Sequence, residues 1–335
     1  MPSSKPKPDL LFVLSVDTEE EWDWNGPFPE RAFRVSNAER IPAFQEFCDQ
    51  LSIRPTYFVD HAVASDRAAA SALSTVATGQ RCEIGAHLHP WANPPFVGPN
   101  DEYHSHVVNL ERKHIEAKLD ALLGTIEGRI GARPNAFRTG RWGINATVLD
   151  LLRQRGIRID SSMYPCFRNQ WFDCEHTPLQ PYWPDLENPT RSGAQRDILE
   201  FPVTVGFNHR NQRQALALYN AISSPALRRL RLVGAFWQSH LLRKLYLSPE
   251  VISGSEMMPL VDMAIDNGLP ALHMFLHSSS LIDYGEGMLS TRNAFELICR
   301  NIEALLAYAG ERATLSFCTI SEAAALLQHR RPEIA

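Results

Sequence analysis

Eight short apolar runs, none longer than eight residues, recur along the chain with longer stretches of helical period between them. They are Leu11 to Val16, Pro55 to Val59, Cys82 to His87, Ala136 to Arg138, Ile157 to Ile159, Ile198 to Val205, Ala271 to Leu276 and Leu315 to Cys318. Alternation of this kind is the pattern of parallel strands joined by crossover helices, and it excludes an all-α or all-β chain. The intervening helices announce themselves by their stripes: Ile115, Leu119, Leu122, Leu123, Ile126 and Ile130 fall on one face, as do Phe295, Ile298, Ile302, Leu305 and Leu306. Asn145 caps a short helix that Gly156 closes, and Ser255 to Gly268 reads as another. With no internal repeat and no linker, residues 10–330 are expected to form a single, distorted (β/α) barrel.

Two segments interrupt the rhythm. Residues 165–196 are rich in Pro, Trp and polar side chains, the composition of a long loop over a barrel mouth, where Trp171, Tyr182 and Trp183 are candidates to stack on a sugar or to pack locally. Residues 210–247 are helical, basic and aromatic, which suits an inserted helical pair on the barrel, a lid, or a helix at a membrane surface. A formal charge of −5 gives no general attraction to nucleic acid. The six cysteines are scattered, as in a reduced, cytoplasmic protein, and the apolar run behind the Pro- and Lys-rich start is too short for a signal sequence or a transmembrane segment.

Polar residues of catalytic type stand at the ends of these runs: Asp17 and Glu19, His87 and His89, Arg138 and Arg141, Asp160, and His277. In a parallel barrel those ends converge on one mouth. His87 and His89, two residues apart, point to the same side if the strand persists, and with Asp17 or Glu19 they form a set suited to zinc; the alternative is a pair of hydrogen-bonded structural histidines. His277 ends an apolar run where an imidazole can protonate a leaving amine, and His273 reads as core or as support. Asp160 suits the orientation of an imidazole, or a turn with Ser161 and Ser162, while Arg138 or Arg141 suits keeping a carboxylate ionised.

The segments Ser15-Val16-Asp17-Thr18-Glu19, Glu83 to Trp91, Phe137 to Gly143, Ile159-Asp160-Ser161-Ser162, Leu199 to Thr204 and Phe275-Leu276-His277-Ser278 occur in the order and spacing of a known family. The chain resembles the polysaccharide deacetylases, the NodB-homology or carbohydrate esterase family 4 group, and within it the WalW-like branch associated with surface-polysaccharide biosynthesis. The resemblance runs from about Leu11 to about Leu327. It implies a distorted (β/α)7 TIM-like barrel, here with the inserted helical segment, and a divalent metal ion. It further implies Asp17 as general base, His277 as general acid, Arg138 near the base, Asp160 in support and His87 as a metal ligand. Two positions depart from the family pattern: Thr18 replaces the second of two adjacent aspartates, and Trp91 stands where a second histidine is usual. The expected ligands are therefore Glu19, His87 and His89, with Trp91, Arg141 and Trp142 as candidate substrate contacts.

The implied activity is metal-dependent, zinc-type hydrolysis of the amide of an N-acetylated sugar, on a carbohydrate substrate that is soluble or part of a lipid-linked glycan. A cytoplasmic location, peripheral to the inner face of the membrane, follows from that reading. The competing expectations are another carbon–nitrogen amidase on the same barrel and a non-catalytic glycan-binding homologue.

Overall fold

The computed structural model describes residues 6–24 and 26–330, so the first five residues of the Pro- and Lys-rich start lie outside it. Ten strands are present among the described residues: β1 (Asp9–Thr18), β2 (Thr56–Val59), β3 (Glu83–Leu88), β4 (Ala136–Thr139), β5 (Ile159–Asp160), β6 (Leu199–Glu200), β7 (Val205–Phe207), β8 (Lys244–Tyr246), β9 (Ala271–His277) and β10 (Thr314–Cys318). β1 to β6 pair in sequence order, all parallel, and β9 joins β1 from the other side along Leu11–Asp17. β10 pairs only with the first half of β1, Asp9–Val13, leaving seven strands around the barrel wall.

β1 shows why such strands read as continuous apolar runs. Successive side chains alternate faces. Leu10, Phe12, Leu14 and Val16 pack outward against the helices, whereas Leu11 and Val13 join Phe58, Ala136, Ile159 and Leu199 in a separate interior cluster. Ile320, Ala323, Ala324 and Leu327 of the last helix, Ile320–Arg330, close the bottom of that interior plug. Above it the inward positions turn polar: Ser15, then Asp17 on β1, and His273, then His277 on β9, all buried.

The wall between β6 and β9 is not a ladder. Pro202 has no N–H to give, and the expected strand Ile198 to Val205 divides there into β6 and β7. Thr204 bridges the gap instead: its N–H donates to His273 O at 3.0 Å, its Oγ1 accepts from the His273 N–H at 2.8 Å, and its carbonyl accepts from Leu247 N–H at 3.0 Å. This irregular closure is the distortion of the barrel.

Residues 210–247 contain the helices Gln212–Ser223 and Leu232–Gln238, but the segment ends in β8, which forms an antiparallel ribbon with β7. The buried Lys244 ammonium on β8 donates to Cys166 O at 2.6 Å and lies 5.3 to 5.9 Å from the rings of Phe167, Tyr219 and Tyr246, tying the insertion to the mouth loop. Among the described residues no helix is long and apolar enough to cross a membrane.

Candidate active site

Arg138, fully buried on β4, organises the centre of the mouth. Its Nη1 donates to Asp17 Oδ1 at 2.6 Å, its Nε to Ser161 O at 3.0 Å and its Nη2 to Ser161 Oγ at 2.9 Å. The guanidinium plane rests over the Phe58 ring at 4.4 Å and near Trp142 at 5.1 Å. Phe58 can sit there because its neighbour on β3 is Gly85, where a Cβ would come 2.6 Å from the ring. On the far side His273 Nε2 accepts from Arg138 Nη2 at 3.3 Å, while its Nδ1–H donates to Pro202 O at 3.2 Å. Burial, then the Arg138 charge, holds the His273 pKa well below its ordinary value, so this ring is a neutral brace.

Asp17 and His277 are register partners on β1 and β9. His277 Nε2 lies 3.8 Å from Asp17 Oδ2. The other nitrogen, Nδ1, donates to Glu250 Oε1 at 2.7 Å, and the His277 backbone N–H donates to Glu250 Oε2 at 3.1 Å. Burial alone would favour the neutral ring, but the charge of Glu250, then those of Glu19 and Asp17, lift the pKa to about 10. His277 is therefore an imidazolium at neutral pH, a group with a proton to give. Asp160, expected to orient an imidazole, does not hold His277. It lies opposite Glu200 across β5 and β6 and accepts from Ser162 Oγ at 2.6 Å, and burial and then the Asp160 charge push the Glu200 pKa well up.

The second cluster fits a divalent metal. The ligand atoms of Glu19, His87 and His89 lie within 4.8 Å of one another, all buried. His87 Nδ1 is 3.1 Å from Arg138 O; a carbonyl only accepts, so Nδ1 carries a hydrogen, and Nε2 faces Glu19 Oε2 at 3.2 Å. His89 Nδ1 donates to Glu20 at 3.0 Å, and its Nε2 also lies 3.2 Å from Glu19 Oε2. Two imidazoles, each held by an acceptor on its far nitrogen, and one carboxylate form a first-rate donor set for zinc or a similar ion. Burial would raise the Glu19 pKa, but the charges of His277 and His89 and the hydrogen bonds of His87 and His89 hold it below the usual carboxylate range. Asp60, whose pKa burial and then Glu20 push well up, accepts from the Glu20 backbone N–H through Oδ2 at 3.4 Å and sits behind the carboxylate that holds His89.

The geometry around His89 depends on Gly140, whose N–H donates to Leu88 O at 2.9 Å. A Cβ on Gly140 would stand 1.9 Å from His89 Cδ2. Trp91 stacks on the opposite face of His89, ring centres 4.2 Å apart, and its Nε1 donates to Glu20 Oε1 at 2.5 Å. Trp91 thus braces the His89 ring and the Glu20 carboxylate that holds it.

These groups open into a cavity of about 220 Å³. Its floor is Asp17, Glu19, His87, His89 and His277, and its sides include Trp22, Trp24, Trp91 and Trp142. Trp24 meets the His277 ring edge-on at 4.9 Å. Arg141 and Trp142 are set on the rim by a rare run of left-handed residues, with φ of 64°, 61° and 78° through Gly143. Arg141 is clamped by Glu102 at 2.9 and 3.0 Å. A larger hollow of about 500 Å³ also has Trp91 in its wall, but none of Asp17, Glu19, His87, His89 and His277 lines it.

Of the two readings open for Trp171, Tyr182 and Trp183, sugar stacking or local packing, local packing is what they show: none of them lines the cavity, Tyr182 and Trp183 are buried, and Trp171 packs on Tyr103. From the mouth loop only Phe167 and Asn169 line it. Sequence reading missed Glu20, Asp60 and Glu250 as well as Trp22 and Trp24. Glu20 carried a signal, since β1 ends at Thr18 and strict alternation lapses beyond it; Glu250, in an irregular stretch after β8, carried none.

No family model matches this chain, and no curated protein matches it significantly by sequence. Solved structures do match. A protein from Mycobacterium smegmatis assigned as a polysaccharide deacetylase is similar at 14% identity and TM-score 0.56, over 99% of this chain and 93% of that one. A Parabacteroides distasonis protein assigned as a glycoside hydrolase/deacetylase gives 12% and 0.59, over 98% and 73%. A Pseudomonas aeruginosa PAO1 protein assigned as a polysaccharide deacetylase gives 16% and 0.50, over 97% and 92%. Likeness at this identity speaks for the fold, and the fold of this chain is the distorted (β/α)7 barrel of the polysaccharide deacetylases.

Proposed function

We propose that the protein is a metal-dependent hydrolase that removes an acetyl group from an N-acetylated sugar, serving surface-polysaccharide biosynthesis on a soluble or lipid-linked glycan. The observation that carries this reading is the placement of a carboxylate, Asp17, and a protonated imidazole, His277, on adjacent strand ends, beside the buried trio Glu19, His87 and His89.

A divalent ion held by that trio, zinc by the nature of its donors, would polarise the acyl carbonyl and make water a better nucleophile. Asp17 takes the proton from the attacking water. Arg138 fixes the Asp17 carboxylate through Oδ1, which leaves Oδ2 facing the cavity and His277. Once the tetrahedral carbon has formed, the amine must leave, and an unprotonated amide nitrogen is a very poor leaving group. His277 Nε2 supplies the proton, with Glu250 on Nδ1 stabilising the imidazolium until then. The tryptophans give the sugar apolar faces to stack on, with Arg141 as the charged group of the rim.

Acetate release from N-acetylated sugars by the metal-loaded protein, compared with Asp17→Asn, tests the proposal. Turnover that disappears in the variant while fold and metal remain supports it. Full turnover in the variant would remove Asp17 from the role of base.

A further inference from the structure

We infer that the site takes its substrate end-on, accepting a single or terminal acetylated sugar unit and excluding units inside a chain. This deepens the proposed deacetylase reading and rests on it.

The cavity is small and walled. At about 220 Å³ it falls below the roughly 300–1,000 Å³ of pockets that enclose drug-sized ligands, leaving room for one ring and its acyl arm. Exposure is graded with depth. Asp17, Glu19, His87 and His89 are only 2 to 3% exposed and His277 7%, whereas Trp24, Arg141, Trp142, Phe167 and Asn169 of the same lining are partly or fully exposed and lie toward the mouth. A polymer unit reacting from mid-chain needs two ways out, one for each neighbour. The sides where a second exit would run are filled. Trp22 packs between Trp24 and Trp91, and Phe28 lies 4.9 and 5.0 Å from Trp91 and Trp22. Buried His106, also in the lining, packs 5.9 and 6.0 Å from the Trp171 and Phe172 rings. A chain lying across the mouth would leave its acetyl group short of the floor.

The test uses the full-length Asp17→Asn protein loaded with zinc, and binding measured by calorimetry. The probes are the methyl glycosides of N-acetylglucosamine, N-acetylgalactosamine and N-acetylmannosamine, and a pentamer of glucosamine acetylated only at its central unit. The expected result is that one of the glycosides binds at least tenfold more tightly than the pentamer. Pentamer binding within twofold of the best glycoside overturns the end-on site. Binding of none of the three glycosides overturns the N-acetyl-sugar reading itself. Selective glycoside binding together with no acetate release by the unsubstituted protein leaves end-on entry standing and removes the hydrolytic chemistry, so the two failures are distinct.

Discussion

Glu250 grips His277 through both carboxylate oxygens, and that grip sets the protonation on which the proposed leaving-group step depends. His277 has a folded pKa raised to about 10, so its contribution to stability is complete below its unfolded value of about 6.5 and is lost as pH rises through about 10. Glu250→Gln removes the largest of the charges that raise it, and the alkaline limb of the kcat profile is expected to move down by about one unit or more. An unmoved limb in that profile would take His277 out of the acid role. His277→Ala is expected to lower kcat by roughly 10²- to 10⁴-fold. Gly140 gives a prediction of a different kind: with no room for a Cβ beside His89, Gly140→Ala should displace that ring and weaken zinc binding by about 10- to 100-fold, as loss of a supporting contact does, measurable by competition with a chromogenic chelator.

At the scale of elements, the connection between β5 and β6 is held by two facing carboxyl groups. Asp160 Oδ2 is buried with no hydrogen-bond donor, and the Glu200 carboxyl is its register neighbour across the two strands. Both pKa values are raised, by burial first, so this pair stabilises the fold at low pH and loses its contribution as pH rises through the raised value of Glu200. Glu200→Gln keeps a donor without a titrating proton, and its melting temperature should fall less than that of the parent between pH 6 and pH 9. An identical decline in thermal melts would show that the pair is not the titrating element. Asp160 also marks where sequence reading stops: a carboxylate ending an apolar run looks the same whether it faces an imidazole or another carboxyl. The strands β1, β2, β3, β4 and β9 were legible because both of their faces are covered, which leaves continuous apolar runs. β8 was not, since Lys244–Tyr246 is three residues long, begins with a lysine and is stabilised by rings distant in sequence.

At the scale of the whole molecule, the barrel brings residues from positions 17 to 277 onto one floor above an apolar plug. That convergence was readable, because strand ends of a parallel barrel share a mouth, and so Asp17, Glu19, His87, His89, Arg138 and His277 could be named from their places at run ends. The partners that hold them were not, because Glu250 and Asp60 reach the site through packing that leaves no periodic trace. If the trio binds zinc, the free ion at about 100 times its Kd should stabilise the native state by about 2.7 kcal/mol, visible as a raised melting temperature in the parent and as no shift in a His87→Ala, His89→Ala double variant. The most direct measurement is the metal content, by mass spectrometry, of protein purified without chelator beside that double variant. The account predicts close to one equivalent of zinc or a similar divalent ion in the parent and none in the variant; no metal in either, even after supplementation, would contradict it.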